Sequence, residues 1–136
     1  METRTRTLSW ILQVVAAAIL GQTLFFKFTG APEAVWIFTT LGVEPYGRIF
    51  TGVMELVAVV ALLVPRTAAL GAALSLGLMV GAVGSHLAIL GIEVQGDGGT
   101  LFVLALVTTA ASAGVLWLRR AELPVVGAML AARQTR

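Results

Sequence analysis

Four apolar stretches, each broken by only a few polar positions, divide the chain. The first runs from about Leu8 to Phe28 and is interrupted by Gln13, Gln22, Thr23 and Lys27. The others cover about 48–64, 67–90 and 100–118. A helix needs about 20 residues to cross the hydrocarbon core of a bilayer, so each stretch predicts a transmembrane helix. Residues 29–47 (TGAPEAVWIFTTLGVEPYG) depart from the pattern, because Gly, Pro and Glu bracket a short apolar run at 34–41. That run is too short to span and predicts an interfacial or re-entrant helix between helices one and two, with Trp36 and Tyr46 suited to the headgroup level. Pro65-Arg66 stops the second stretch, the acidic loop GIEVQGDGG (91–99) follows the third, and Arg119-Arg120 closes the fourth. The tail, 121–136, with Pro124 near its start, predicts a helix lying on the membrane surface. The fold expected is all-α: an antiparallel four-helix transmembrane bundle over 1–120 followed by that tail.

Within the third stretch, Gly77-x-x-x-Gly81-x-x-x-Ser85 forms a ridge of small residues, which predicts close backbone approach to a neighbouring helix. Gln13 and Gln22 are expected to hydrogen-bond between helices.

Composition supports a membrane protein. Hydrophobic residues make up 58% and charged residues only 12%, against about 25% charged in soluble domains. There is no cysteine, which removes disulfides, thiol redox chemistry and cysteine metal sites together. The net charge of +2 does not indicate nucleic acid, because the basic residues gather at the ends of the apolar stretches, as membrane topology requires. The first stretch is too long for a signal-peptide core and lacks a clean small-residue cleavage site. Arg4, Arg6, Arg66, Arg119, Arg120, Arg133 and Arg136 fall on one side of the expected bundle, Lys27 and Arg48 on the other. The excess places both termini in the cytoplasm of a multi-pass protein of the bacterial cytoplasmic (inner) membrane.

The candidate chemistry centres on Glu55, a carboxylate inside an apolar run. A charge there costs about 2.5–3.5 kcal/mol on insertion scales, so a partner or a polar cavity must offset it. Arg48, Thr51 and Glu55, spaced i, i+3, i+7, share one helix face. Thr23 lies one turn before Lys27 on helix one, and Ser75, Met79 and Ala82 share the face of His86, the one histidine. A cavity open towards the outer leaflet, with Glu55 at its floor, satisfies all of these groups. Glu55, His86 and Lys27 are the candidate catalytic residues; Arg48, Thr51, Thr23, Ser75 and Asp97 are the candidate ligand-binding ones. A single histidine among scattered acids gives no metal site, and Gly-Asp-Gly-Gly at 96–99 reads as a turn rather than a phosphate cradle.

Phe26-Lys27-Phe28-Thr29-Gly30-Ala31-Pro32, Leu41-Gly42-Val43, Gly52-Val53-Met54-Glu55-Leu56, Pro65-Arg66-Thr67-Ala68-Ala69-Leu70 and Gly81-Ala82-Val83-Gly84-Ser85-His86-Leu87 follow in the order and spacing of a known pattern. Over about residues 8–118 the chain resembles the DoxX-like family of small four-helix bacterial membrane proteins. The resemblance implies a membrane system linked to quinone redox chemistry, with an oxidoreductase partner subunit. With no cysteine and no covalent cofactor, redox work would need a bound quinone or a partner's cofactor. The reading that follows is a lipophilic small molecule bound beside an intramembrane carboxylate. The alternatives are a self-contained isomerase, cyclase or hydrolase using Glu55 as general acid or base, and a non-catalytic assembly partner packing through the Gly77/Gly81/Ser85 ridge, as a homo-oligomer or with another protein.

Overall fold

A computed structural model describes residues 1–135; Arg136, counted above among the basic residues, lies outside the described residues. Six α-helices follow in order: α1 (Thr3–Thr29), α2 (Pro32–Thr40), α3 (Tyr46–Leu63), α4 (Ala68–Ser85), α5 (Thr100–Leu118) and α6 (Pro124–Gln134). A 3-10 turn (Pro65–Thr67) enters α4, and a π-helical turn (His86–Leu90) extends it. No strand occurs among the described residues.

Four elements are long and apolar enough to cross a membrane: α1, α3, α4 with its flanking turns, and α5. At 1.5 Å per residue even the shortest, 18 residues, is about 27 Å long, close to the thickness of a hydrocarbon core. This is an integral membrane protein. α2, at nine residues, starts with Pro32 at its first turn, where a missing N–H costs nothing.

The spanning helices form a ring in which α1 packs on α3, α3 on α4, α4 on α5 and α5 back on α1. Both described termini and the α3–α4 turn lie at one end, here the terminal end. α2 and the 91–99 loop lie at the other, the α2 end. The core is built of small residues, including Ala16, Ala58, Ala72 and Ala111, with Leu20, Leu62 and Val115 between them. Large side chains such as Phe25, Phe50, Val80 and Trp117 point outward. That distribution suits lipid, which solvates apolar side chains while close backbone approach supplies the packing.

α3 and α4 approach closely at Gly71, where a Cβ would lie 2.6 Å from the backbone nitrogen of Leu62. The Gly77/Gly81 ridge does not serve that purpose. A Cβ on either glycine would meet nothing within 4 Å, so the expectation of helix packing there is corrected.

The terminal end is tied by a buried polar network. Arg119 Nε donates to Ser9 Oγ at 2.7 Å and to Gln13 Oε1 at 3.1 Å. Gln13 Nε2 donates to the Leu62 carbonyl at 2.6 Å, the interhelical bond expected of Gln13. Glu122 neutralises the guanidinium at 3.0 Å. Arg119, read from sequence as a topology signal, therefore also joins α1, α5 and the chain beyond α5. Where no water competes, every such group needs an internal partner, and no fully buried side-chain N or O among the described residues lacks one.

Candidate functional site

The α2 half of the bundle encloses a cavity of about 760 Å³ bounded by all four spanning helices and by α2. Its polar centre is an ion pair. Lys27 Nζ lies 2.9 Å from both Glu55 oxygens, and Thr23 Oγ1 lies 3.1 Å from Glu55 Oε2. Helix direction explains why the two charges meet. Side chains lean towards the N-terminus of their own helix. α1 runs towards the α2 end, so Lys27 leans back into the bundle; α3 runs away from it, so Glu55 leans up to meet Lys27. Glu55 is 5% exposed and has lost nearly all access to solvent. Lys27 offers three N–H donors, and Glu55 takes two of them, leaving one for another acceptor.

His86 opens the π-helical turn and is 4% exposed. Its Nδ1 lies 2.9 Å from the Gly91 carbonyl. A carbonyl only accepts, so Nδ1 carries a proton, and in the neutral form of the ring the lone pair is on Nε2. Phe102 meets the ring edge-on at 5.3 Å between centroids. Nε2 has no partner among the described residues, and His86 lines the cavity.

Asp97 also lines the cavity, but its carboxylate is committed to backbone. Oδ1 accepts from Val94 N at 3.0 Å and Gly99 N at 2.8 Å, and Oδ2 from Leu101 N at 3.0 Å. These bonds shape the 96–99 turn and satisfy donors at the start of α5. Desolvation raises its pKa, but the bonds from Val94, Leu101 and Gly99 and the nearby His86 outweigh that and hold the carboxyl below its ordinary value.

Lys27, Glu55, Thr23, Thr51, His86 and Asp97 thus border one cavity. Thr51 spends its proton on the Gly47 carbonyl at 2.8 Å and presents lone pairs. Arg48 and Ser75 are not brought there. Arg48 pairs with Glu44 at 2.9 Å and donates from Nη1 to the Lys27 carbonyl, so it closes the end of α1 over the site from outside. Ser75 lies deeper, 2.7 Å from Ser112 Oγ in a buried hydroxyl pair. Gln22 lines the cavity at an exposed position rather than bonding another helix. Sequence reasoning missed Glu44, whose i,i+4 spacing to Arg48 was a usable signal. It also missed Thr108 in the far wall and Ser112, which no local pattern marks. Among the described residues no three of His, Cys, Asp and Glu gather as a metal site.

The arrangement can bind a polar headgroup through one ammonium N–H and one imidazole lone pair, inside walls that are otherwise mostly apolar. No curated protein and no solved structure matches the chain. The sequence profile of one family matches residues 11–113, a span that contains α2, α3, α4, most of α5 and the whole cavity lining, and by that match the chain belongs to the DoxX-like family.

Proposed function

We propose that this protein binds a lipophilic small molecule, such as a quinone, in the cavity and serves a redox-linked system of the bacterial cytoplasmic membrane. Both termini would then lie in the cytoplasm and the α2 end outside, as the basic residues favour. The observation that carries the reading is the desolvated Lys27–Glu55 pair, held inside a cavity large enough for a drug-sized molecule. A buried pair of this kind is an expensive way to stabilise a bundle, since apolar residues of similar size serve as well or better. Its presence is better explained by what it offers a ligand.

The residues fit a quinone headgroup. The free Lys27 N–H suits a ring carbonyl, and His86 Nε2 suits the hydroxyl of the reduced form. A quinone would supply the reversible two-electron chemistry; the protein would supply orientation, dryness and a place for protons. Lys27 occupies both Glu55 oxygens, which favours binding over the alternative in which Glu55 alone acts as general acid or base.

The test is mass spectrometry of small molecules extracted from the gently purified protein, with Glu55→Gln as control. A stoichiometric quinone, lost in the variant, is the expected result. Bulk phospholipid alone, unchanged by the substitution, would overturn the reading and favour an assembly role.

A further inference from the structure

The cavity reaches the surface at more than one place: at the α2 end, where Glu33, Val43 and Thr100 line it and are exposed, and within the membrane-spanning part of the bundle. Gly77 and Gly81 of α4 line the cavity and are at the same time surface-exposed, about midway along a membrane-spanning element. A residue that is both is where cavity and surface meet. Gly71, one turn or more earlier on α4, is sealed against the α3 backbone, whereas a Cβ on Gly77 or Gly81 would meet open space. At about 100° per residue Gly81 lies roughly a quarter turn, and Gly77 about a third of a turn, from Gly71, so both are off the line along which α4 meets α3. Gln22 and Phe26 of α1 are also exposed and line the cavity, but both carry long side chains. The α4 rim carries none. Inside, His86 is buried with Nε2 unpartnered among the described residues, so the space behind the opening holds a polar group still wanting a ligand.

The geometry points to a lateral route: the bound molecule reaches the cavity from the bilayer across Gly77 and Gly81, and its apolar tail stays in that opening. The ligand class is then a membrane-dissolved amphiphile, with its polar head inward at Lys27 and His86. Entry past Glu33, Val43 and Thr100 at the α2 end is the competing route, and it would not pass Gly81. The lateral route rests on the cavity being a ligand site, as proposed above, and adds which side the ligand comes from and what form it has. The two glycines set the clearance for the tail. A leucine at 81 would lean back over 77, because helical side chains cover the preceding turn.

The experiment reads access rather than headgroup binding, so it fails separately from the quinone reading. The full chain is reconstituted into phosphatidylcholine vesicles doped with a phosphatidylcholine carrying a diazirine at its acyl-chain end. After photolysis, the adducts are mapped by peptide mass spectrometry. Adducts are expected on buried cavity-wall residues such as Met79, Ala105 and Thr108, as well as on outward residues such as Val80 and Leu87. Cavity adducts should be lost in Gly81→Leu and retained in Gly84→Leu, an equally unobstructed glycine of α4 that does not line the cavity. Neither position offers a clash, so both variants should fold, which retained outward adducts check. Adducts confined to outward residues in the unmodified chain, or cavity adducts indifferent to Gly81→Leu, would overturn the lateral route.

Discussion

Breaking the Lys27–Glu55 pair from either side should cost different amounts, and the difference follows from depth. Lys27 is two residues from the end of α1, about 3 Å along the axis, and its side chain is 15% exposed. Glu55 is nine residues into α3, about 14 Å, and its side chain is 7% exposed. In Glu55→Gln the ammonium can swing to the interface, as long basic side chains do. The glutamine keeps the Thr23 contact, so a cost of about 1 kcal/mol, that of one ordinary hydrogen bond, is expected. In Lys27→Met the carboxylate cannot follow. It is left in a dry site with one hydroxyl partner, and the expected cost approaches the 3–5 kcal/mol typical of a stranded buried charge. The double variant Lys27→Met/Glu55→Gln should recover most of that loss. The assay is reversible unfolding in mixed micelles with rising denaturing detergent, followed by fluorescence of the three tryptophans. Single-variant costs that add in the double to within about 0.5 kcal/mol would show no coupling and refute the account of the site.

Two further outcomes follow from the same contacts. Gly71→Ala should destabilise by about 1–3 kcal/mol, the range for overpacking, because its Cβ would press on the backbone of Leu62. Gly81→Ala should be neutral or stabilising by up to about 1 kcal/mol, the helix-propensity gain; thermal melts of the two variants side by side decide it. Asp97 gives a pH effect whose sign is fixed. Its folded-state pKa is depressed, so the stability it contributes is present above the unfolded carboxyl's ordinary value of about 3.9 and is lost as pH falls through the folded value. Protection of the Gly99 and Leu101 amides, taken relative to their intrinsic exchange rates, should therefore fall below about pH 4 in the native chain, and Asp97→Asn should abolish that dependence.

Much of the architecture was legible without coordinates. Runs of apolar residues of spanning length, stopped by Pro65-Arg66 and Arg119-Arg120, fix four crossings because a bilayer accepts only segments whose backbone is satisfied internally. The isolation of Glu55 in its run was an equally direct signal, since a buried carboxylate must be offset. Helix periodicity put Thr51 on its face, and the same argument brought Thr23 onto the face of Lys27.

What the sequence could not decide was which neighbours meet across the ring. Arg48 sits on the Glu55 face in a helical projection, yet it turns to Glu44, four residues earlier, and to the end of α1, and only the packing of α1 on α3 supplies that second partner. Ser75 shares the face of His86 but is about three turns deeper, where Ser112 of α5 claims it. The small-residue ridge is the clearest case. Gly71 and the Gly77/Gly81 pair look alike in sequence, because a glycine only permits approach and does not compel it. Tertiary packing brings α3 onto the first and leaves the second bare, so one glycine seals the bundle and the other two open it.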